Sequence, residues 1–221
     1  MRRTIVLLIA AVIIAALSAQ AQATLITRGT DTLGNKLIYD TDLNITWYDY
    51  TNAPASWQNQ MAWASGLTVT FNGTIYDDWR LPSTVDGLAV YGYDGTTTVG
   101  YNITSSEMGH LFYTELGNNG WLDTSGKIQN SMGLLNTGDF VHLTSSFYWS
   151  GTTYSAGTYD AWGFDTPVGA HGVGGKFYNF SALAVRPGDV AAVPEPGTVL
   201  LFGLGLVGLA ARTMMSKRRR G

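Results

Sequence analysis

The chain has 221 residues, of which 13% are charged and 12% aromatic, with 27 glycines and no cysteine. Without a thiol there is no disulfide scaffold, no cysteine-ligated zinc and no cysteine nucleophile. The net charge of −3 conceals an asymmetry: residues 24–194 hold six basic residues against fifteen carboxylates, a net of −9, while the remaining basic residues crowd the two ends. Such a body repels nucleic acid, so no nucleic-acid partner is expected.

In chain order, Arg2 and Arg3 precede an apolar run from Ile5 to Leu17, and Ala19-Gln20-Ala21 and Ala21-Gln22-Ala23 fit small-residue cleavage. Thirteen helical residues rise only ~20 Å, short of a ~30 Å hydrocarbon core. Residues 1–23 therefore read as a signal helix removed by signal peptidase.

Residues 24–192 read as one domain. Leu37-Ile38-Tyr39 is a strand. Ser56 caps a helix over Trp57–Ser65 that Gly66 stops. Asn72-Gly73 turns a hairpin between Thr68–Phe71 and Thr74–Tyr76. Thr104-Ser105-Ser106-Glu107 has capping-box spacing and opens a helix through Leu116, ended by Gly117. Strands follow at Phe147–Thr152, Tyr159–Asp165, Lys176–Phe180 and Leu183–Arg186. Two helices among many short strands predict an α+β fold.

In the last segment, residues 193–221, Val193-Pro194-Glu195-Pro196-Gly197 precedes the apolar run Thr198–Ala211 and then Arg212 and Lys217-Arg218-Arg219-Arg220. Basic residues stay on the cytoplasmic side, so this run predicts a C-terminal transmembrane helix in the precursor. Its Gly203-Leu204-Gly205-Leu206-Val207-Gly208 matches a dinucleotide fingerprint only literally, since no βαβ unit or acidic residue follows. The tail resembles the PEP-CTERM sorting signal of Gram-negative bacteria, with Pro194, Glu195 and Pro196 as the motif. The resemblance implies an exosortase as partner, export across the inner membrane and a place at the cell surface or in the extracellular matrix.

In the body, Leu37–Asp40 leads to Asn44-Ile45-Thr46-Trp47. Then come Asp78-Trp79-Arg80-Leu81-Pro82-Ser83, Tyr148-Trp149-Ser150-Gly151-Thr152, Ala161-Trp162-Gly163-Phe164 and Ala184-Val185-Arg186-Pro187-Gly188. This order resembles the Lcl C-terminal domain family over about Leu37–Val190. The resemblance implies a C-type-lectin-like fold and polysaccharide binding. A founding member belongs to a collagen-like adhesin, and this chain has no collagen-like repeat. It also lacks the cysteines of the related formylglycine-generating enzymes and the E-P-N, Q-P-D and W-N-D triplets of calcium-dependent lectins.

Trp79 and Arg80 read as structural: the indole in the core, the guanidinium tying its loop to Asp49, Asp77 or Asp78. Arg186 reads likewise. Glu107 and Glu115 read as a solvated helix face. Asp40-Thr41-Asp42-Leu43-Asn44 begins like an EF-hand loop, but Ile45 stands where glycine is required and Thr51 where glutamate is, which excludes that motif. A looser calcium site stays open; no cofactor is otherwise expected. His110, His142 and His171 are isolated in sequence, and no zinc site is expected. No nucleophile elbow is present, and the chain is expected to be non-enzymatic. The alternatives are a polysaccharide-acting enzyme with an unseen carboxylate pair, or a purely structural matrix component. Aromatic rings set among Gly, Ser, Thr and Asn in the last third suit sugar stacking, with Trp149, Tyr154 and Trp162 as the expected ligand-binding residues.

Overall fold

The computed structural model describes residues Thr24–Val190. The expected signal helix, the transmembrane helix and the Pro194-Glu195-Pro196 motif lie outside the described residues. The chain runs β1 (Leu25–Thr30), β2 (Lys36–Asp40), β3 (Ile45–Ala55), α1 (Trp57–Ser65), β4 (Val69–Phe71), β5 (Thr74–Tyr76), β6 (Tyr91–Gly92), β7 (Val99–Gly100), and α2 (Glu107–Gly109), which continues as a π-helical turn (His110–Glu115). It closes with β8 (Phe147–Thr153), β9 (Asp160–Asp165), β10 (Ala170–Gly175) and β11 (Phe180–Pro187). Among the described residues the fold is mostly sheet with two short helices, in keeping with the expectation of few helices and many strands. Among the described residues no helix is long and apolar enough to cross a membrane.

One nine-stranded sheet has the order β1-β2-β3-β11-β8-β9-β10-β7-β6, and β4–β5 stands apart as a hairpin. The last strand in sequence sits inside the sheet, antiparallel to β3 and parallel to β8. A strand buried on both faces reads as an unbroken apolar run, and β11 carries Ala182-Leu183-Ala184-Val185, all fully buried. Side chains alternate across a strand. Leu183 and Val185 pack with Ile38, Trp47, Met108, Leu111 and Phe112 under α2. Ala184 packs with Leu37, Tyr48 and Trp79, and Ala182 with Ala64, Leu81 and Trp149 under α1.

The Asn72-Gly73 turn forms as expected, with φ of 49° and 79° at the two positions, the left-handed values a two-residue hairpin requires. Helix α1 has its Ser56 cap, whose hydroxyl accepts the Asn59 N–H, and stops at Gly66. A residue invisible to periodicity locks it in place. Gln60 is buried; its amide donates to the Ala53 and Phe180 carbonyls, both at 2.8 Å, while its Oε1 accepts from Asn52. Close packing is strict at Gly163 of β9, where a Cβ would fall 2.2 Å from the Phe147 ring.

Two expectations are corrected. Lys176–Phe180 is not a strand of its own: the Tyr178 N–H donates to Gly175 O at 2.9 Å and closes a turn between β10 and β11, and Phe180 opens β11. The helix over 104–116 is not one α-helix. Ser106, rather than Thr104, caps it by accepting the Gly109 N–H at 2.9 Å, and from His110 the turns widen to π geometry. Gly117 ends it with φ of 63°, as expected. Strand β10 went unforeseen because Gly172-Val173-Gly174-Gly175 has little β propensity.

Candidate functional site

The Asp78–Ser83 block is a core turn. Trp79 is buried, packs its ring 5.4 Å from that of Tyr48, and donates its indole N–H to Tyr76 O at 3.0 Å. The Arg80 backbone bonds Val185 in both directions at 2.8 Å. Its guanidinium makes a bidentate pair with Glu107 (2.7 and 2.8 Å), not with Asp49, Asp77 or Asp78. Asp78 is instead held by Arg186 at 2.8 and 3.0 Å, and the hydrogen bond from Arg186 lowers its carboxyl below the usual range. Asp49 is buried and accepts the backbone N–H groups of Val141 and His142, both at 2.9 Å. These are structural clamps.

Two of the three expected sugar-stacking rings are closed to a ligand. Trp149 and Trp162 are 0% exposed. The Trp149 indole donates to Ala55 O at 3.2 Å. The Trp162 ring stacks on His171 at 5.0 Å and donates to Asp86 Oδ1 at 2.8 Å, a bond that holds the Asp86 carboxyl down at about 2. The physical reason is the sheet: β8 and β9 are interior strands, covered on both faces. Tyr154, half-buried, meets Trp162 edge-on at 5.4 Å. His171 Nδ1 lies 2.7 Å from Thr98 O, and burial lowers its pKa.

Among the described residues Tyr50, Tyr91, Tyr93 and Trp121 are also exposed, and two further exposed rings stand side by side on the β10–β11 turn. Phe177 is 72% and Tyr178 52% exposed, with ring centroids 4.3 Å apart. Tyr178 stacks on Phe180 at 5.8 Å, and Phe180 reaches the buried Trp149 at 4.8 Å. The row therefore runs from the core to solvent and is anchored at its inner end. Tyr159, 81% exposed, lies on the adjoining turn, where its carbonyl accepts the Lys176 N–H at 2.8 Å. Lys176 caps the Trp57 face at 4.8 Å and donates to Thr158 O. In sequence these rings share their Gly, Ser, Thr and Asn surroundings with the tryptophans, and that composition does not tell which residue falls in a turn.

A second cluster forms where β2 meets the π-helical turn. Donor atoms of Asp40, His110 and Glu115 lie within 4.8 Å of one another. His110 Nε2 is 3.3 Å from Glu115 Oε1 and 3.8 Å from Asp42 Oδ2. The Glu115 side chain is only 2% exposed. Burial first, and then the Asp40 charge, pushes its carboxyl above the usual range. Glu107 and Glu115 are thus not a solvated face; one clamps Arg80 and the other is buried beside a histidine.

Residues 192–219 match the description "PEP-CTERM protein-sorting motif". The tail carries this sorting motif. No curated protein and no solved structure matches the chain. The PEP-CTERM motif implies an exosortase-targeted, secreted surface protein, and exosortase recognition falls on the segment holding Pro194, Glu195 and Pro196.

Proposed function

We propose that this PEP-CTERM protein is a non-catalytic matrix component of a Gram-negative cell surface, whose body is an Lcl-like, lectin-like domain that binds neutral polysaccharide. Signal peptidase removes the leader, and an exosortase processes the tail. The observation that carries the binding reading is the exposed ring row Phe177–Tyr178 beside Tyr159. Sugar C–H faces stack on such rings. The net charge of −9 over residues 24–194 disfavours anionic polymers and selects neutral ones. The cavity between β8, β9 and the Pro82–Ser83 turn holds about 10 Å³, far below the ~300–1,000 Å³ of a small-molecule pocket, so that cavity is not itself a ligand site. Each ring contributes on the order of 1 kcal/mol, so retention arises from many copies meeting a repetitive polymer.

Binding of the detergent-purified full chain to neutral and to sulfated polysaccharide, at low and high salt, tests this. Retention on the neutral polymer is expected to survive salt, since stacking is scarcely screened. Replacing both Phe177 and Tyr178 with alanine is expected to weaken it roughly 30-fold. Binding to the sulfated polymer alone, abolished by salt, overturns the proposal.

A further inference from the structure

The π-helical turn places two residues five apart on one face. In an α-helix His110 and Glu115 point ~140° apart at 3.6 residues per turn; the i→i+5 pattern, marked here by the Leu116 N–H donating to Leu111 O at 2.9 Å, brings them together. Such π turns recur at functional sites. The β2–β3 turn supplies the opposing wall. There Asp40 Oδ1 accepts the Asp42 and Leu43 N–H groups at 3.1 and 3.0 Å, which fixes the carboxylate, while Oδ2 has only the Trp47 indole N–H at 3.3 Å. Asp42 stands at the rim, its side chain 39% exposed, and leaves a path from solvent.

The charges in this cluster do not balance. Three carboxylates surround one imidazole, and among the described residues no lysine or arginine pairs with Asp40, Asp42 or Glu115. Buried carboxylates are ordinarily paired or bound to a metal. A protonated His110 offsets one charge of the three. A divalent cation, bound through the neutral imidazole in place of that proton, would offset two of the three and use the same donors.

We propose that Asp40, His110 and Glu115, with Asp42 at the rim, form a binding site for a first-row divalent transition cation, zinc foremost. With zinc–ligand bonds of about 2.0–2.2 Å, adjacent donors of a tetrahedral site lie about 3.4 Å apart. The 3.3 and 3.8 Å separations around His110 Nε2 are already close to that spacing. An imidazole among carboxylates selects zinc over calcium, which takes six to eight oxygens. The four donors come from β2, the β2–β3 turn and the π turn, so the ion would staple the sheet to the helix that covers it.

The test is zinc titration of untagged, chelator-stripped full chain in detergent, with calcium as the comparison ion. One zinc per chain is expected, with a raised melting temperature and no matching effect of calcium. His110→Ala is expected to weaken zinc binding at least tenfold. Asp42→Asn, which changes a partly exposed rim residue, is expected to weaken it several-fold with the fold intact. On crystals grown with zinc, anomalous scattering at the zinc edge is expected to give a peak between His110 Nε2 and Glu115. Absence of stoichiometric binding, undiminished affinity in both variants, or a peak elsewhere overturns the proposal and leaves the cluster an internal ion-pair network.

Discussion

Replacing Trp79 with alanine is expected to lower the unfolding free energy by roughly 3–5 kcal/mol, the range for deleting a large buried aromatic. Trp79 is 3% exposed and packs among Leu37, Tyr48, Val69, Phe71 and Ala184. It packs in one cluster with residues of the β4–β5 hairpin and of the large sheet, and its indole N–H fixes the Tyr76 carbonyl. Trp79→Phe keeps a ring but not the donor, and its loss is expected to be smaller. Urea melts of both variants check this; a wild-type midpoint for the alanine variant would place Trp79 outside the core.

Trp162→Ala is expected to cost a similar ~3–5 kcal/mol. Three contacts go at once: the stack on His171, the edge contact with Tyr154 and the bond to Asp86. A second readout identifies the cause. The Trp162 hydrogen bond is the largest influence holding Asp86 near 2, so in the variant the Asp86 titration, followed by NMR, is expected to move up toward the ordinary carboxylate value. Polysaccharide binding measured below the variant's melting temperature is expected to persist, because the ring does not face solvent. A stable variant that loses binding would restore Trp162 as a ligand contact.

Local signals were legible in the sequence where the physics is local. Ser56 and Gly66 bound α1, Asn72-Gly73 turns its hairpin, and the strand segments expected at residues 37–39 and 183–186 fall inside β2 and β11. What escaped depends on contacts between distant segments. Arg80 finds its carboxylate at Glu107, brought close only when α2 covers the sheet. Gln60 and Asp49 are polar residues whose burial follows from the backbone groups they satisfy. Gly, Ser and Thr surround Trp149 and Trp162 in sequence, as on a binding surface, whereas their strands pair inside the sheet and both rings are buried. The acidic cluster was half legible: Asp40 and Asp42 stood out as an incomplete calcium pattern, but His110 looked isolated, and only the π turn places it and Glu115 beside them.

Export followed by processing at the PEP-CTERM tail fixes the mass of the mature protein, and intact-mass measurement on the protein recovered from its native cell surface reads it. A mature species without Lys217–Arg220 is expected, with accumulation of the longer form when Pro194, Glu195 and Pro196 are replaced by alanine. A surface species that still carries Lys217–Arg220, with a mass indifferent to those three replacements, would contradict it.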